Sequence, residues 1–434
     1  LLTLAKKLKN QKFKLQKENP TMNESPLFSR REFLRHSSLL ALASTAPGFL
    51  LSSAQAASSS DRDLPILVVV QLAGGNDGLN TVVPFTNDIY YKSRPRLALK
   101  GDDLIKLDDH RALNAQLKPL MKWGECGELA IVEGVGYPNP DRSHFRSTEI
   151  WETAVDSDKT SNTGWIGRYL DATCEGKPLP TNAVAIGNDR PQSFTGAEGL
   201  GIAMTQPEAF GYLKSYGNDH EGSFKNLNGV RKKEYEPSGN ESLDFLRRTA
   251  MNATLSSSQV RRAAQRYRGG ISYPNSELAK SLRTVAMMIA GRMPTRIYYV
   301  SQTGYDTHAN QRGSHQRLMG QLAAALTAFQ NDIEHQGQAE RVVTMTFSEF
   351  GRRVKENGSN GTDHGTAAPM FFLGKNVNGG FHGKPSSLSD LDSGDLKFTV
   401  DFRHLYANAL HWLQAPTAPV LQRNFDPLPG LLRV

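Results

Sequence analysis

Cysteine is nearly missing from this chain. Two among 434 residues, Cys126 and Cys174, allow one disulfide at most, and nothing in the sequence sets the distance between them. Long hydrophobic runs are missing too. The apolar stretch Leu39–Leu51 is too short to span a bilayer comfortably. Excess charge is absent from the body. The formal charge is +8, but residues 1–56 hold nine Lys/Arg against three Glu, which leaves the remainder near +2. A body so close to neutral carries no electrostatic footprint for nucleic acid, so no nucleic-acid partner is expected. The chain also shows no internal repeat, low-complexity tract or linker that forces a domain boundary. With 38% hydrophobic and 22% charged residues it can bury a sizeable core.

What is present begins with a leader. "SRREFLR" (29–35) precedes the apolar stretch, and "AQA" (54–56) supplies small residues where a signal peptidase reads. The paired arginines followed by Phe-Leu resemble a twin-arginine export signal. The expectation is a cleaved signal over 22–56, export to the periplasm or exterior through the twin-arginine translocase, and no stable transmembrane segment afterwards. Residues 1–21, Lys-rich and upstream of Met22, read as an over-extended start. Such export carries chains already folded, which suits a cofactor loaded beforehand.

Residues 61–434 then read as one domain. "LPILVVVQLAGGNDGLNTVVP" (64–84) is a β-branched apolar run ending in glycines, the pattern of a buried strand and its loop. "ELAIVEGVG" (128–136) and "NAVAIG" (182–187) look like further strands, and 144–155 like a helix. A polar excursion covers about 215–240, followed by helical patterns over 242–267 and 276–292. A strand at 295–302, a helix at 314–335, a strand at 341–347 and a closing helix at 402–413 complete the order. Strand, helix, strand with polar residues after each strand is the pattern of a parallel sheet covered by helices. Ligands of such sheets sit beyond the carboxyl ends of the strands.

The residues at those ends suit a metal. Asp306 and His308 in "GYDTHANQ" follow one strand. Asp363 and His364 in "GTDHGTAAP" lie between glycines, and so does His382 in "GGFHG". Four of the eleven histidines, His308, His315, His364 and His382, fall within 75 residues. Asp and His sets suit Zn²⁺, Mn²⁺, Mg²⁺ or Ca²⁺, and two such sets could hold two ions about 4 Å apart. Asp77 in "GGNDG" could reach a metal, although alone it reads as a turn residue. The loop after the first strand is no G-x-G-x-x-G nucleotide fingerprint. Ser143 in "DRSHF" stands where a helix begins. It reads as an N-cap or as a nucleophile facing the positive helix end, with Thr81 and Ser147 as lesser candidates. His144 could join a site. Arg142 and Arg146 could neutralise oxygens of a phosphate or sulfate. His315 reads as a capping or supporting residue, and His404 and His411 as structural.

Together "GGNDGLNTVVP", "RSHF", "GYDTHANQ", "SEFGRR" and "GTDHG" resemble the domain of unknown function 1501 family, over nearly all of the mature chain. That family is grouped with the alkaline phosphatase-like superfamily, which includes sulfatases. The resemblance implies a three-layer α/β/α sandwich with a mostly parallel sheet. It implies one ion on Asp77, Ser143, Asp363 and His364, and another on Asp306, His308 and His382. Glu349, in "SEFGRR", competes with Asp363 for the strand-end ligand position, because "VKENGSN" intervenes between "SEFGRR" and "GTDHG". The expected function is hydrolysis of a small-molecule or polymer-linked phosphate or sulfate ester by Ser143 with one or two divalent ions. The alternative is a metal-retaining, non-catalytic envelope protein on the same scaffold.

Overall fold

The computed structural model describes residues 64–173, 180–205 and 260–433. The signal-peptide expectation, the polar excursion, Cys174 and most of the expected helix over 242–267 lie outside these residues.

A nine-stranded sheet runs through the centre. In chain order its strands are β1 (Ile66–Ala73), β2 (Leu129–Gly136), β3 (Ala183–Ile186), β4 (Ile202–Met204), β5 (Ile297–Thr303), β6 (Val342–Phe347), β7 (Ala368–Leu373), β8 (Gly380–Gly383) and β9 (Val400–Asp401). Their spatial order is β8-β2-β7-β6-β1-β5-β3-β4, with β9 also paired to β2. Every pairing is parallel except those of β7, which runs antiparallel to both β2 and β6.

β1 is apolar except for the half-buried Gln71, because helices cover both faces of the sheet. Ile66, Val68, Val70 and Leu72 point into one core, where helices α3 (Glu277–Ala290) and α4 (Gln311–His335) supply Leu282, Val285, Leu322 and Phe329. Leu67 and Val69 point into the other. There α1 (His144–Thr153), α2 (Trp165–Thr173) and α5 (Phe402–Trp412) supply Ile150, Trp151, Ile166, Leu170 and Leu405. The result is a three-layer α/β/α sandwich with a mostly parallel sheet, as the sequence pattern implies. Among the described residues no helix is long and apolar enough to cross a membrane. Cys126, at the end of a short helix, is exposed.

The single reversed strand matters for the site. The loops after β1, β2, β5 and β6 leave the sheet at one edge, the carboxyl edge. Because β7 runs the other way, the chain before it arrives at that same edge. Residues 361–367 therefore join Gly74–Asp77, the loop of Ser143, Tyr305–His308 and Ser348–Arg352. The separation of the DHG motif from β6 is thus resolved by topology: the motif precedes a reversed strand. Close backbone approach completes the convergence. Gly74 has a φ of +119°, and a Cβ there would lie 2.4 Å from the backbone nitrogen of Asp306. A Cβ on Gly361 would lie 2.2 Å from the carbonyl carbon of His308.

Candidate metal centre

Arg352 assembles this edge. Its guanidinium is fully buried and donates to the carbonyls of Gly74, Gly75, Tyr305 and Thr362, and to Asp306 Oδ1 at 2.8 Å. One side chain therefore ties together the loops after β1 and β5 and the loop before β7. With its donors spent on these oxygens, Arg352 serves as an anchor.

Around Asp306 stand three imidazoles. His308 Nε2 lies 3.1 Å from Asp306 Oδ1, His364 Nε2 3.2 Å and His144 Nε2 3.5 Å. His308 Nε2 and His364 Nε2 are 2.9 Å apart. Ligand atoms of His144, Asp306 and His364 all fall within 4.8 Å of one another. The cluster is open on one side, with the Asp306 side chain 49% exposed.

The opposite nitrogen of each ring has its own partner. His144 Nδ1 is 2.8 Å from Glu349 Oε1, His308 Nδ1 is 3.2 Å from Asp363 Oδ1, and His364 Nδ1 is 2.8 Å from the carbonyl oxygen of Arg142. Carboxylate and carbonyl oxygens accept hydrogen bonds, so these partners call for a proton at Nδ1, and a ring protonated there turns its Nε2 lone pair toward Asp306. Asp363 suits this role. The hydrogen bond from Asn357 leads in holding its carboxyl below the usual range, with His308 helping against burial. Burial would raise Asp306, but the Arg352 guanidinium, by hydrogen bond and by charge, leads in offsetting it, and the Asp306 carboxyl comes down to about 2.

Three lone pairs and one carboxylate oxygen thus face each other, and His144 Nε2 is buried with no hydrogen-bond partner among the described residues. Such an arrangement fits a cation. For metal bonds of about 2.05 Å, tetrahedral ligands sit about 3.3 Å apart, close to the 3.1, 3.2 and 3.5 Å that separate the three Nε2 atoms from Asp306 Oδ1. Nδ1 hydrogen bonds to carboxylates and carbonyls are the usual outer support of metal-binding histidines.

Several expected residues stand elsewhere. Asp77 is fully buried, with both oxygens 2.8 and 2.6 Å from Arg94 Nη1 and one accepting from Gln311. Burial would raise its pKa, but Arg94 and the other partners bring it below the usual value. It is an internal ion pair that pins the first loop, and its carboxylate is spent. His382 sits on β8 opposite Val132, short of the carboxyl edge, and its Nε2 meets the carbonyl of Asn378 at 2.7 Å. Glu349 and Asp363 stand behind His144 and His308 as supports, so their competition for one ligand position does not arise. Arg146 is tied to Glu149 and to the carbonyls of Ser157 and Lys159, and the Arg142 side chain to Asp395 at 2.5 Å. Neither arginine is free to hold an anion in this arrangement. Ser143 occupies the N-cap position of α1, is exposed, and makes no side-chain capping bond. Ser147 is buried, donates to the carbonyl of Glu349 and shares a bond with Tyr137, which removes it as a nucleophile. Thr81 is buried and donates to the carbonyl of Asp77. His315 is buried against Asn76 Oδ1 at 3.0 Å, a supporting residue.

The family whose model matches is described as a protein of unknown function, DUF1501. The match covers residues 211–426. It includes Asp306, His308 and His364, while His144 lies before it. No curated protein matches the chain. Among solved structures the chain is similar to Ps i-CgsB in complex with k-i-k-neocarrahexaose, at 11% identity over 84% of this chain and 75% of that one, with a TM-score of 0.40. It is similar to the PsFucS1 sulfatase from Pseudoalteromonas sp., at 9% identity over 87% and 74%, TM-score 0.38. A third is a protein in the alkaline phosphatase superfamily from Vibrio parahaemolyticus, at 9% identity over 87% and 71%, TM-score 0.36. These likenesses assign no reaction to this chain.

Two participants escaped sequence reasoning. The sequence marks His144 only as a possible member, although it follows Ser143 directly at the first position of a helix that starts from the carboxyl edge. Arg352 was visible inside "SEFGRR", but nothing local says that its guanidinium turns back beneath the loops.

Proposed function

We propose that His144, Asp306, His308 and His364 hold one divalent metal ion and that the protein is an exported, metal-dependent hydrolase of phosphate or sulfate esters. The observation that carries the metal reading is the matched orientation of three imidazoles, each tied at Nδ1 and aimed through Nε2 at Asp306 Oδ1. Three nitrogens and one oxygen favour Zn²⁺ or Mn²⁺ over Mg²⁺ and Ca²⁺, which prefer all-oxygen sets. One cluster supports one ion rather than two.

When bound, the ion supplies Lewis-acid polarisation of an ester oxygen and lowers the pKa of an attached hydroxyl or water. The protein's part is orientation. Glu349, Asp363 and the Arg142 carbonyl fix the rings, and Arg352 fixes Asp306. Ser143, at the start of α1 and next to His144, is the proposed nucleophile, placed at the positive end of the helix.

Metal analysis of the mature protein, followed by assays on aryl phosphate and aryl sulfate esters, tests the reading. Bound ion with metal-dependent turnover is expected; turnover that survives complete chelation would contradict it. The engagement of both Arg142 and Arg146 favours a second reading, a metal-retaining binding protein. That reading predicts the ion without turnover on any ester and co-purification with another exported protein.

A further inference from the structure

Asp395 stands apart from the metal cluster, yet its side chain is only 1% exposed. It lies on a small hairpin, Leu391–Asp392 paired with Asp395–Leu396, closed by Ser393 and Gly394 at positive φ. Leu396 packs with Val354 and Ala367, and Thr366 donates to its carbonyl. A buried carboxylate is costly unless paired, and Asp395 is paired twice. Arg142 Nη2 lies 2.5 Å from Oδ2 and Arg353 Nε 3.1 Å from Oδ1.

Both arginines belong to the segments that support the imidazoles. The Arg142 carbonyl accepts from His364 Nδ1, and the Arg353 backbone N–H donates to the carbonyl of Asp363, whose side chain supports His308. Arg142 sits on an exposed loop. Besides this ion pair, that loop is tethered by the Asp141 N–H bond to Tyr137 at 3.1 Å and by Ser157, which donates to the Pro138 carbonyl at 3.0 Å.

We infer that Asp395 is a positioning residue for the metal centre, holding His364 and, more weakly, His308 in their Nδ1–H forms through Arg142 and Arg353. His144, two residues from Arg142, has its Nδ1 held by Glu349 instead, so it serves as the comparison within the same molecule. The metal-affinity consequence rests on the proposed reading of the cluster. The ring orientation does not, because it rests on the hydrogen bonds at Nδ1.

The test is ¹⁵N–¹H imidazole correlation spectroscopy on the metal-free protein and on Asp395→Asn, with Zn²⁺ titration alongside. In the variant, His364 is expected to lose its single Nδ1–H form while His144 keeps it, and the Zn²⁺ Kd is expected to rise at least tenfold, within the range of about 10–100-fold for outer-support residues. Asp395→Glu should restore the His364 signature. Arg142→Gln keeps the carbonyl but removes the ion pair, so it should reproduce the effect, and the double variant should add little to either single one. An unchanged His364 in both single variants would overturn the proposal. So would equal disturbance of all three rings, which would mark Asp395 as merely structural. Absence of Zn²⁺ binding in the unaltered protein would defeat the metal reading and leave the ring signatures to decide the positioning role.

Discussion

His144 bridges a buried acid and an open acid: its Nδ1 lies 2.8 Å from Glu349, and its Nε2 lies 3.5 Å from Asp306. Glu349 also accepts from the Gly74 backbone N–H at 2.8 Å, so it locks the ring against the first loop. Glu349→Gln can present an amide N–H to Nδ1 and thereby turn the ring's proton toward the metal side. Metal affinity should fall by about 10–100-fold with the fold intact. Competitive chelator titration measures this. Unchanged affinity would remove Glu349 from the support of the centre.

Asp77 has the opposite character. Its pairing with Arg94 is wholly internal, so Asp77→Ala strands a buried guanidinium and should cost about 3–5 kcal/mol of stability. Urea unfolding reads the loss directly. Metal stoichiometry in the folded fraction should stay at one. Loss of metal at unchanged stability would instead make Asp77 a ligand, as the sequence first suggested.

His315 gives the stability a pH dependence. Burial lowers its pKa to about 4, against the opposing charge of Asp77. Below about pH 6.5 the unfolded chain takes up a proton there that the folded chain refuses. This contribution is full above that value and shrinks as pH falls toward 4, by about 3 kcal/mol across the window. His315→Asn should flatten that part of the curve, as measured by urea midpoints between pH 7 and 4.5. A wild-type slope retained in the variant would place the titration elsewhere.

Ser143→Ala separates chemistry from binding. If Ser143 is the nucleophile, kcat should fall by about 10³-fold or more with metal content and melting temperature unchanged. Steady-state assays on whichever aryl ester is turned over decide this, and full turnover would exclude the role.

Much of the scaffold was legible from the sequence because buried parallel strands are unbroken apolar runs. β1, β2, β5 and β6 stand within a residue or two of where such runs predict them, and polar residues after them gather at the candidate site. Asp306, His308 and His364 sit in loops too rich in glycine and charge for a core. The reversed strand β7 was not legible, since nothing in "AAPMFFL" encodes direction. Its reversal is what brings the DHG loop to the carboxyl edge. Asp77 misled for a related reason. A carboxylate at a strand end looks the same whether it faces a metal or an arginine, and Arg94, seventeen residues on, gives no local sign of turning back. His382 likewise lies between glycines, as ligands often do, but β8 carries it to the outer edge of the sheet.

The most direct test of the account is anomalous scattering from crystals of the Zn²⁺- or Mn²⁺-loaded protein. A single strong peak is expected among the Nε2 atoms of His144, His308 and His364 and the carboxylate of Asp306, at about 2.0–2.2 Å from each for Zn²⁺. A peak beside Asp77 or His382, or none within reach of the three imidazoles, would contradict it.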